Sequence, residues 1–453
     1  MRLTFAGAAD TVTGSRYVLD TGQRHILVDC GLFQGFKKLR ERNWARFPVA
    51  PQTIERVVLT HAHLDHSGYL PALVRDGFRG EIVATAATRE LCEILLRDSA
   101  RLQEEEADFA NRHGYSKHAP ARPLYTSEDA ERALSRFRVV EFDETFPLGE
   151  GIEAQFLPAG HLLGAAMVRL QRGSRTVLFS GDLGRPDDLV MRPPRRVESA
   201  GTLIVESTYG NRSHGDGDPE EVLGRVIRET AARGGTVLIP SFAIGRAQTL
   251  LYALYRLRER NAIPEIPVFL DSPMAVDATR LYVRFERDHR LTREQCAAMY
   301  RSAAMVTTPE QSKRLAGLRV PSIIISASGM ATGGRVLHHL KRILPDPHSH
   351  VLFAGFQAGG TRGAHLVAGA REVRIHGEWH TVRAGVTQLD GFSAHADGDE
   401  LMAWMRAFHV APGQVYVTHG EPDAADRLRL RIGTELGWPA RVPEHLETVD
   451  LPL

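Results

Sequence analysis

Three histidines and an aspartate fall within six residues of this chain, as His61, His63, Asp65 and His66. Imidazole nitrogens and carboxylate oxygens together form a ligand set that suits a borderline ion such as Zn²⁺. His61 and His63 are two residues apart after an apolar run, so at a strand end both side chains can point to one side. The spacing therefore indicates part of a metal site rather than an ordinary polar loop.

A single segment cannot complete a coordination shell, so further ligands must come from other parts of the chain. The remaining candidates share a position at a strand end among small residues: Asp29, His161, Asp182, His395 and His419. Each of them alone fits a capping or turn residue equally well. Together with the 61–66 cluster, they supply the missing donors of a metal site.

The elements around the cluster can be predicted from hydrophobic periodicity. The apolar run Arg56–Leu59 predicts a strand that ends just before the cluster, and helices are predicted over 68–76 and 87–113. After Tyr209 helices and strands alternate strictly, which predicts a parallel, Rossmann-like sheet. Because the last part of the chain returns to the earlier pattern, we predict one domain with a second α/β domain inserted into it.

Composition excludes several classes of protein. The 453 residues are 43% hydrophobic, and 56 Lys+Arg against 55 Asp+Glu leave a net charge of +1. These values exclude collagen-like and wholly disordered chains, and also a strongly basic nucleic-acid-coating protein. They permit an enzyme that binds nucleic acid at one site. Aromatic residues make up 7% of the chain, and no aromatic–basic stripe marks a separate platform for single strands.

Cysteine usage and the N-terminus bear on location. Cys30, Cys92 and Cys296 form no C-x-x-C pair and cannot build a disulfide framework, which favours a reducing compartment. The N-terminal segment has no apolar signal core, and no stretch approaches the ~18 apolar residues of a spanning helix. We therefore predict a cytoplasmic protein that has no membrane partner.

The ordered motifs resemble those of the metallo-β-lactamase superfamily, and specifically its β-CASP branch of nucleic-acid-processing nucleases. The chain looks most like bacterial relatives of the cleavage-and-polyadenylation endonuclease. The superfamily motifs are matched by Asp29, His61-x-His63-x-Asp65-His66, His161 and Asp182. The β-CASP motifs are matched by Glu206, His395 and His419.

The resemblance covers essentially the whole chain and implies an α/β fold. A metallo-β-lactamase αββα sandwich would contain an inserted Rossmann-like β-CASP domain. Residues 1–208 would form the first part of the sandwich domain, 209–375 the β-CASP domain, and 376–453 the C-terminal part of the sandwich domain.

The resemblance also implies two Zn²⁺ ions. Three histidines would bind one ion: His61, His63 and His161. The other would be bound by Asp65, His66 and His419. Asp182 would bridge the two ions, and Asp29 would accept a hydrogen bond from a ligand imidazole and so fix its tautomer. Such a pair of ions lowers the pKa of a bridging water and offsets phosphodiester charge, so Asp65 and Asp182 are predicted to be catalytic as well.

Glu206 and His395 are implied to act as a pair outside the metal shell. Phosphodiester hydrolysis expels an alkoxide, which a positioned imidazolium can protonate. Glu206 would orient His395 and raise the pKa of that imidazole. The alternative for Glu206 is a strand-end carboxylate that is satisfied by backbone N–H groups.

The predicted inserted domain contains glycine- and serine-rich turns between strands and helices. Backbone N–H groups at a helix start favour phosphate, although the glycines can equally serve only to make turns. Substrate contacts are predicted for residues in these turns and in a glycine-rich loop: Ser241, Arg246, Ser328, Gly329, Arg335 and Arg362. As a set on one edge of a parallel sheet, they predict a wall for single-stranded RNA.

These implications predict a zinc-dependent endoribonuclease that cuts RNA through a hydroxide activated by two metal ions. Additional 5′→3′ exonuclease activity and a homodimer are left open. One alternative is a DNA nuclease of the β-CASP repair branch, but His419 favours RNA because that branch usually has an aliphatic residue there. Another is a small-molecule thioester or lactone hydrolase, which would need no long insertion bordered by Glu206 and His395. A non-catalytic partner would have lost metal ligands that are present here.

Overall fold

The computed structural model describes residues 1–114, 116, 118–215, 217–355 and 357–453, with Asp390 described by its backbone only. The chain divides into two compact units. The first unit comprises Met1–Asp187, Pro193–Ser213 and His395–Leu453. The second unit comprises Asp188–Arg192 and His214–Ala394. The predicted α/β class is confirmed, whereas the predicted domain bounds at 208 and 375 stay a prediction.

The first part of the chain contains short strands and one long helix. Its strands are β1 (Arg2–Phe5), β2 (Tyr17–Asp20), β3 (His25–Val28), β4 (Ile54–Val58), β5 (Glu81–Ala84), β6 (Phe137–Val139), β7 (Thr145–Gly149), β8 (Ile152–Pro158), β9 (Ala166–Arg172), β10 (Arg175–Phe179) and β11 (Thr202–Val205). Its α-helices are α1 (Lys37–Glu41), α2 (Leu64–Ser67), α3 (Leu70–Arg75), α4 (Ala86–His113) and α5 (Ser127–Leu134). Short 3-10 helices follow α1 at Arg42–Trp44 and precede β4 at Pro51–Thr53.

The middle part alternates helices and strands over most of its length, but not strictly as predicted, because two helices follow one another after its second strand and three consecutive strands end it. Its helices are α6 (Pro219–Ala232), α7 (Arg246–Glu259), α8 (Pro273–Arg284), α9 (Arg293–Arg301), α10 (Pro309–Leu315), α11 (Arg335–Ile343) and α12 (Arg362–Val367). Its strands are β12 (Thr236–Pro240), β13 (Val268–Asp271), β14 (Ala304–Val306), β15 (Ser322–Ser326), β16 (His350–Phe353), β17 (Glu372–Ile375), β18 (Glu378–Thr381) and β19 (Gly385–Gln388).

The last part returns to the first unit. It begins after the 3-10 turn Asp390–Phe392 and contains α13 (Gly398–Met405), β20 (Gln414–Val417), α14 (Pro422–Arg431), a π-helical turn (Ile432–Leu436), β21 (Ala440–Arg441) and β22 (Thr448–Asp450).

Two sheets form the first unit, and strands from both ends of the chain complete them. One sheet has the order β22-β1-β2-β3-β4-β5-β6, and the other has the order β21-β20-β11-β10-β9-β8-β7. Side chains of both sheets share one buried core, which includes Phe5, Phe156 and Phe179. Strands β3, β4, β5 and β6 pair in parallel, and so do β10, β11, β20 and β21. This arrangement brings several carboxyl ends of strands to one edge of each sheet.

The second unit contains a parallel sheet of order β14-β13-β15-β12-β16-β19 and a separate hairpin, β17-β18. Every residue of β12 and β15 is buried, because helices cover both faces of such sheets and the strands are runs of apolar residues. Strand β19 pairs in parallel with β16. Residues beyond 375, the predicted end of the insert, therefore contribute a strand to this sheet.

Helix length and composition bear on membrane contact. Among the described residues, no helix combines the length and the apolar character that crossing a bilayer requires.

Candidate metal centre

The clustered polar residues of the first unit follow the carboxyl ends of its strands. Asp29 follows β3, and His61 and His63 lie between β4 and α2. Asp182, Glu206 and His419 come just after β10, β11 and β20. The apolar residues of each strand lie in the core, and a polar residue follows at the carboxyl end of the strand. Ligand sites of α/β sheets form at this edge.

Four of these residues form a first donor group. One ligand atom each from His61, His63, His161 and Asp182 lies within 4.8 Å of all the others. Asp182 Oδ2 is 3.5 Å from His61 Nε2 and 3.6 Å from His161 Nε2. His161 Nε2 is 3.2 Å from His63 Nδ1. The structure thus brings His161, 98 residues beyond His63 in sequence, next to the 61–63 pair as one compact ligand set.

A second donor group lies on the other side of Asp182. Asp65, His66 and His419 offer ligand atoms within 4.8 Å of one another. His66 Nε2 is 3.1 Å from His419 Nε2, and His419 Nε2 is 3.5 Å from Asp65 Oδ2. Asp182 Oδ1 is 3.3 Å from His66 Nε2. One oxygen of Asp182 therefore faces each donor group.

The donor atoms fit a cation. Among the described residues, His61 Nε2, His63 Nε2 and Asp182 Oδ1 are buried without a hydrogen-bond partner. Leaving a buried polar atom unsatisfied costs about 1–3 kcal/mol, and more if it is charged. A metal ion that accepts these lone pairs removes that cost, and the mixture of imidazole and carboxylate suits zinc. The residues present therefore fit the predicted metal.

Asp29 and Thr60 determine which ring nitrogen of His61 and of His66 carries a proton. Asp29 accepts hydrogen bonds from the Thr60 backbone N–H at 2.8 Å, from the Thr60 hydroxyl at 2.9 Å and from His66 Nδ1 at 2.7 Å. Because the Thr60 hydroxyl donates to Asp29, it accepts from His61 Nδ1 at 3.1 Å. The rings of His61 and His66 then both direct Nε2 towards the donor groups. Sequence reasoning missed Thr60, whose only signal is its place directly before His61.

Glu206 both contacts His395 and accepts backbone N–H groups, the two alternatives that the sequence left open. It accepts hydrogen bonds from the backbone N–H groups of Leu183 at 2.6 Å and Thr208 at 3.3 Å. Its two oxygens also lie 3.3 Å from His395 Nδ1. Glu206 is fully buried, so its carboxylate is held in one position next to His395. Sequence reasoning also missed Thr208, whose hydroxyl lies 3.1 Å from His419 Nδ1.

The histidines divide into two electrostatic classes. Burial lowers the pKa of His61 well below its usual value and the pKa of His63 to about 4. Burial also opposes charge on His66 and His395, but nearby carboxylates raise their pKa: Asp182 and Asp29 for His66, and Glu206 for His395. His61 and His63 are thus neutral at pH 7, the state in which an imidazole can bind a metal ion, whereas His395 is set up to hold a proton.

The carboxylates of the centre remain ionised. Burial would raise the pKa of Asp182, but His419 and His66 hold it well below the usual aspartate range. Burial likewise opposes ionisation of Asp65, but His419 and His66 lower the pKa of that carboxyl to about 2. Two ionised carboxylates buried among histidine side chains are an environment that attracts a divalent cation.

The backbone of the centre is tightly constrained. Asp29 and His419 have φ of 58° and 50°, in the left-handed region that residues with a Cβ rarely occupy. Gly31 passes so close to the Asp65 carbonyl that a Cβ would overlap it. Such strained or crowded positions persist where the surrounding structure holds them in place, and they concentrate at functional sites.

The predicted substrate-binding residues all lie in the second unit. The Ser241 hydroxyl donates to the Phe242 carbonyl at 3.0 Å, and the Ser328 hydroxyl lies 3.0 Å from Thr332 Oγ1. Gly329 packs against the Phe242 ring, and Arg246 starts α7 as a buried residue next to Gly355. These positions do not test the predicted contacts of the six residues with RNA, which stay a prediction.

Two of the predicted substrate-binding arginines are engaged by their own chain. The Arg335 guanidinium donates to Asp271 Oδ1 at 2.8 Å and to the Val306 and Thr307 carbonyls. The Arg362 guanidinium donates to the Arg374 carbonyl at 3.0 Å and to the Ala331 carbonyl. Contact with RNA would therefore have to share or replace these bonds.

Comparison with known proteins identifies the class. A model of the metallo-β-lactamase superfamily matches residues 10–241, a β-CASP domain model matches 247–366, and a model described as a Zn-dependent metallo-hydrolase RNA specificity domain matches 379–443. The chain belongs to the metallo-β-lactamase superfamily, with a β-CASP domain, and the predicted resemblance is confirmed.

Individual relatives match along the whole chain. Ribonuclease TTHA0252 of Thermus thermophilus is 39% identical over 430 residues, which cover 93% of this chain and 94% of the relative. Transcription termination factor FttA of Pyrococcus abyssi is 30% identical, covering 100% of this chain and 71% of the relative. A solved structure of an Enterococcus faecalis protein of unknown function has a TM-score of 0.55 at 13% identity, with 99% of both chains covered, which shows a shared fold.

Proposed function

We propose that this chain is a zinc-dependent ribonuclease that hydrolyses phosphodiester bonds of single-stranded RNA. The observation that carries the proposal is the position of Asp182, whose two oxygens face two separate groups of histidine and aspartate donors. Membership of the metallo-β-lactamase superfamily, the match to an RNA specificity domain and the similarity to a Thermus ribonuclease support the choice of reaction and substrate.

Two zinc ions are part of the proposal. One would be held by His61, His63 and His161, the other by Asp65, His66 and His419, with Asp182 shared between them. Zinc at these positions would lower the pKa of a bound water and neutralise charge on the phosphodiester. Asp29 is proposed to orient His66, since its carboxylate accepts the Nδ1 proton of that ring.

His395 is the proposed general acid. Glu206 lies 3.3 Å from Nδ1 and favours the charged imidazolium, so His395 can deliver a proton from Nε2 to the departing oxygen of the cut bond. The proton makes the leaving group an alcohol rather than an alkoxide. Glu206 is a positioning residue in this scheme, because it acts through His395 and not on the substrate.

The reaction can be tested with three substrates. Purified zinc-loaded protein is incubated with a labelled single-stranded RNA, with DNA of the same sequence and with a thioester, each with and without chelator. We expect RNA cleavage that chelator abolishes and added zinc restores. Cleavage of DNA or thioester with intact RNA would instead identify the repair-type nuclease or the small-molecule hydrolase. A circular RNA separates the proposed endonuclease from a 5′→3′ exonuclease, because only an endonuclease cuts it.

The role of His395 can be separated from metal binding. His395→Ala is expected to lose RNA cleavage by about 10²- to 10⁴-fold while the bound zinc is unchanged. His409→Ala, at an exposed histidine, serves as the matched control. Loss of zinc from His395→Ala would show that this histidine is a ligand.

Location and assembly complete the proposal. Cys30, Cys92 and Cys296 are buried and unpaired, which supports a reducing compartment, and we propose the cytoplasm. A homodimer remains a proposal that light scattering on the purified protein tests. Contacts of the second-unit residues Ser241, Arg246, Ser328, Gly329, Arg335 and Arg362 with RNA are proposed on their place in strand-to-helix turns.

A further inference from the structure

Positive charge is concentrated in one short segment of the first unit, residues 36–46. The segment reads Phe-Lys-Lys-Leu-Arg-Glu-Arg-Asn-Trp-Ala-Arg, with five cationic residues against the single acid Glu41. Its net charge of +4 exceeds the +1 of the whole chain, so the rest of the chain is net negative. Two of the five lysines of the protein, Lys37 and Lys38, lie here. The nearly neutral composition therefore hides a strongly basic surface.

Two large aromatic side chains are exposed on the same segment. Phe36 is 53% exposed and Trp44 is 62% exposed, and Lys37, Lys38, Arg40 and Arg46 are exposed around them. A single exposed aromatic residue needs no explanation. Exposed aromatic rings among cations are, however, the combination with which proteins hold single strands, because every base offers a face for stacking and every nucleotide carries a phosphate.

The segment is held rigidly. Asn43 is buried, accepts a hydrogen bond from the Phe33 backbone N–H at 2.9 Å and donates to the Phe33 carbonyl at 2.8 Å. The buried Arg16 guanidinium also donates to Asn43, at 3.2 Å. Phe47 stacks on Tyr69 with ring centroids 5.9 Å apart. Because these bonds fix the backbone, Phe36 and Trp44 would lose little conformational freedom when a base stacks on them.

The segment starts close to the metal centre. The Cys30 N–H donates to the His66 carbonyl at 2.6 Å, and the Leu32 N–H donates to the Leu64 carbonyl at 2.8 Å. Phe36 is four residues beyond Leu32, so the chain can separate the two by at most about 14 Å. That reach corresponds to about four nucleotides at ~3.4 Å per base. A strand cut at the metal centre can therefore extend onto the segment.

We propose that residues 36–46 form a platform for the single-stranded RNA that flanks the bond to be cut. Phe36 and Trp44 would stack on bases, and Lys37, Lys38, Arg40 and Arg46 would contact phosphates. Arg42 has a different role, because its guanidinium is half-buried over the Phe33 ring at 5.4 Å. The platform extends the proposed ribonuclease function and rests on it. Since stacking and phosphate contacts ignore base identity, the platform adds affinity without sequence preference.

Equilibrium binding of a labelled 20-nucleotide RNA to the full chain in chelator tests the platform without cleavage. Trp44→Ala is expected to weaken binding by roughly 5- to 150-fold, and Phe36→Ala similarly. Trp44→Phe keeps a stacking face and should restore most of the affinity. Trp379→Ala is the matched control, because Trp379 is 67% exposed in the second unit. Equal affinity of Trp44→Ala and wild type, or an equal loss in Trp379→Ala, would overturn the platform.

The salt dependence of RNA binding tests the proposed phosphate contacts separately. Replacing Lys37, Lys38 and Arg40 together by Gln should lower the slope of log affinity against log salt by about 2, since each lost phosphate contact removes ~0.7 for a single strand. An unchanged slope would contradict phosphate contact. Vesicles containing phosphatidylserine provide a competing ligand: binding of vesicles but not RNA through this segment would assign it to an anionic membrane instead.

Cleavage assays separate the failure of the platform from the failure of the proposed function. With zinc-loaded protein, the platform variants should raise KM for the RNA and leave hydrolysis of bis(p-nitrophenyl) phosphate unchanged. If wild type cuts no RNA but Trp44→Ala still loses RNA binding, the platform stands and the ribonuclease proposal fails. If wild type cuts RNA and the platform variants cut it with the same KM, the platform fails and the ribonuclease proposal stands.

Discussion

Each unit of this protein buries a cluster of charged and polar side chains, and the two clusters differ in how many of their buried polar atoms the chain itself satisfies. In the second unit, Asp271 is fully buried at the end of β13. Its Oδ1 accepts from Arg335 at 2.8 Å, and its Oδ2 accepts from His339 at 2.6 Å and from Ser312 at 2.5 Å. Both carboxylate oxygens are thus satisfied by the chain itself.

In the metal centre of the first unit, by contrast, the chain does not satisfy all buried polar atoms. Asp182 Oδ1 and two histidine Nε2 atoms there are buried without a hydrogen-bond partner among the described residues. Burial of charge alone therefore does not mark a functional site, since the Asp271 cluster is equally buried and internally complete. The convergence of several unsatisfied ligand atoms on one point distinguishes the metal centre, because a single bound ion would repay their desolvation together. Other buried polar atoms without a partner, such as Gln248 Oε1, lie outside both clusters.

The largest expected effect comes from Asp182→Asn. The substitution removes the carboxylate that faces both donor groups, and we expect zinc content to fall. RNA cleavage should drop by ~10³-fold or more, since bound zinc would supply several kcal/mol of charge stabilisation. Metal analysis and initial rates measure this. Asp187→Asn, at a side chain that is 77% exposed, is the control. Full zinc content in Asp182→Asn would break the distinction between the two clusters.

Asp271→Asn probes the closed cluster. Removing one partner of a buried charged network usually costs about 3–5 kcal/mol, so urea unfolding should show a large loss of stability. Zinc content should be unchanged, because no metal group of the first unit includes Asp271. Asp277→Asn, on the exposed face of α8, controls for loss of one negative charge. Lost zinc with intact stability would reverse the roles of the clusters.

Asp29→Asn tests the support of the metal centre. Residues that hold a metal-ligating histidine typically change metal affinity or activity by 10- to 100-fold when mutated. We expect a loss in that range, measured as the apparent zinc affinity in competition with a chelator. Asp20→Asn removes only a surface ion pair with Arg2 and should have no effect. An unchanged zinc affinity in Asp29→Asn would contradict a role of this carboxylate in holding the ring of His66.

The smallest expected effect is a change, at acid pH only, in the stability that Asp271 contributes. Burial would raise the pKa of Asp271, but hydrogen bonds from His339, Ser312 and Arg335 hold it below its usual value of 3.8. A carboxyl with a lowered pKa stabilises the folded state above the unfolded-state pKa, and this stability is lost as pH falls towards the folded-state pKa. The stability difference between wild type and Asp271→Asn should therefore be constant at neutral pH and shrink below about pH 4. A difference that persists unchanged in strong acid would contradict this.

Much of the metal centre could be predicted because its ligands are dense in sequence and chemically unusual. His61, His63, Asp65 and His66 stand out within one segment, and the distant Asp182 and His419 follow apolar strands that any parallel sheet would align. Thr60 and Thr208 could not be predicted, because a hydroxyl finds its partner only after folding. The spacing of Thr208 from His419 is 211 residues.

The Asp271 cluster could not be predicted from the sequence. Arg335 follows two glycines at a helix start, and that pattern is the same whether the guanidinium faces a phosphate or a buried aspartate 64 residues away. The expectation that no aromatic–basic stripe marks a platform for single strands also missed the exposed Phe36 and Trp44. Phe36 directly precedes the five-residue α1 and Trp44 ends a three-residue 3-10 helix, and elements this short carry no periodic pattern that would place the two rings at the surface.

The discontinuous first unit has a consequence for synthesis of the protein. Strand β20 lies between β11 and β21, β22 pairs with β1, and His395 and His419 come from the same late segment. A nascent chain on the ribosome completes neither sheet nor the metal centre until this segment has emerged, although domains otherwise begin to fold from the N-terminal end. We therefore expect the activity of the metal centre to appear only after this last segment has left the ribosome.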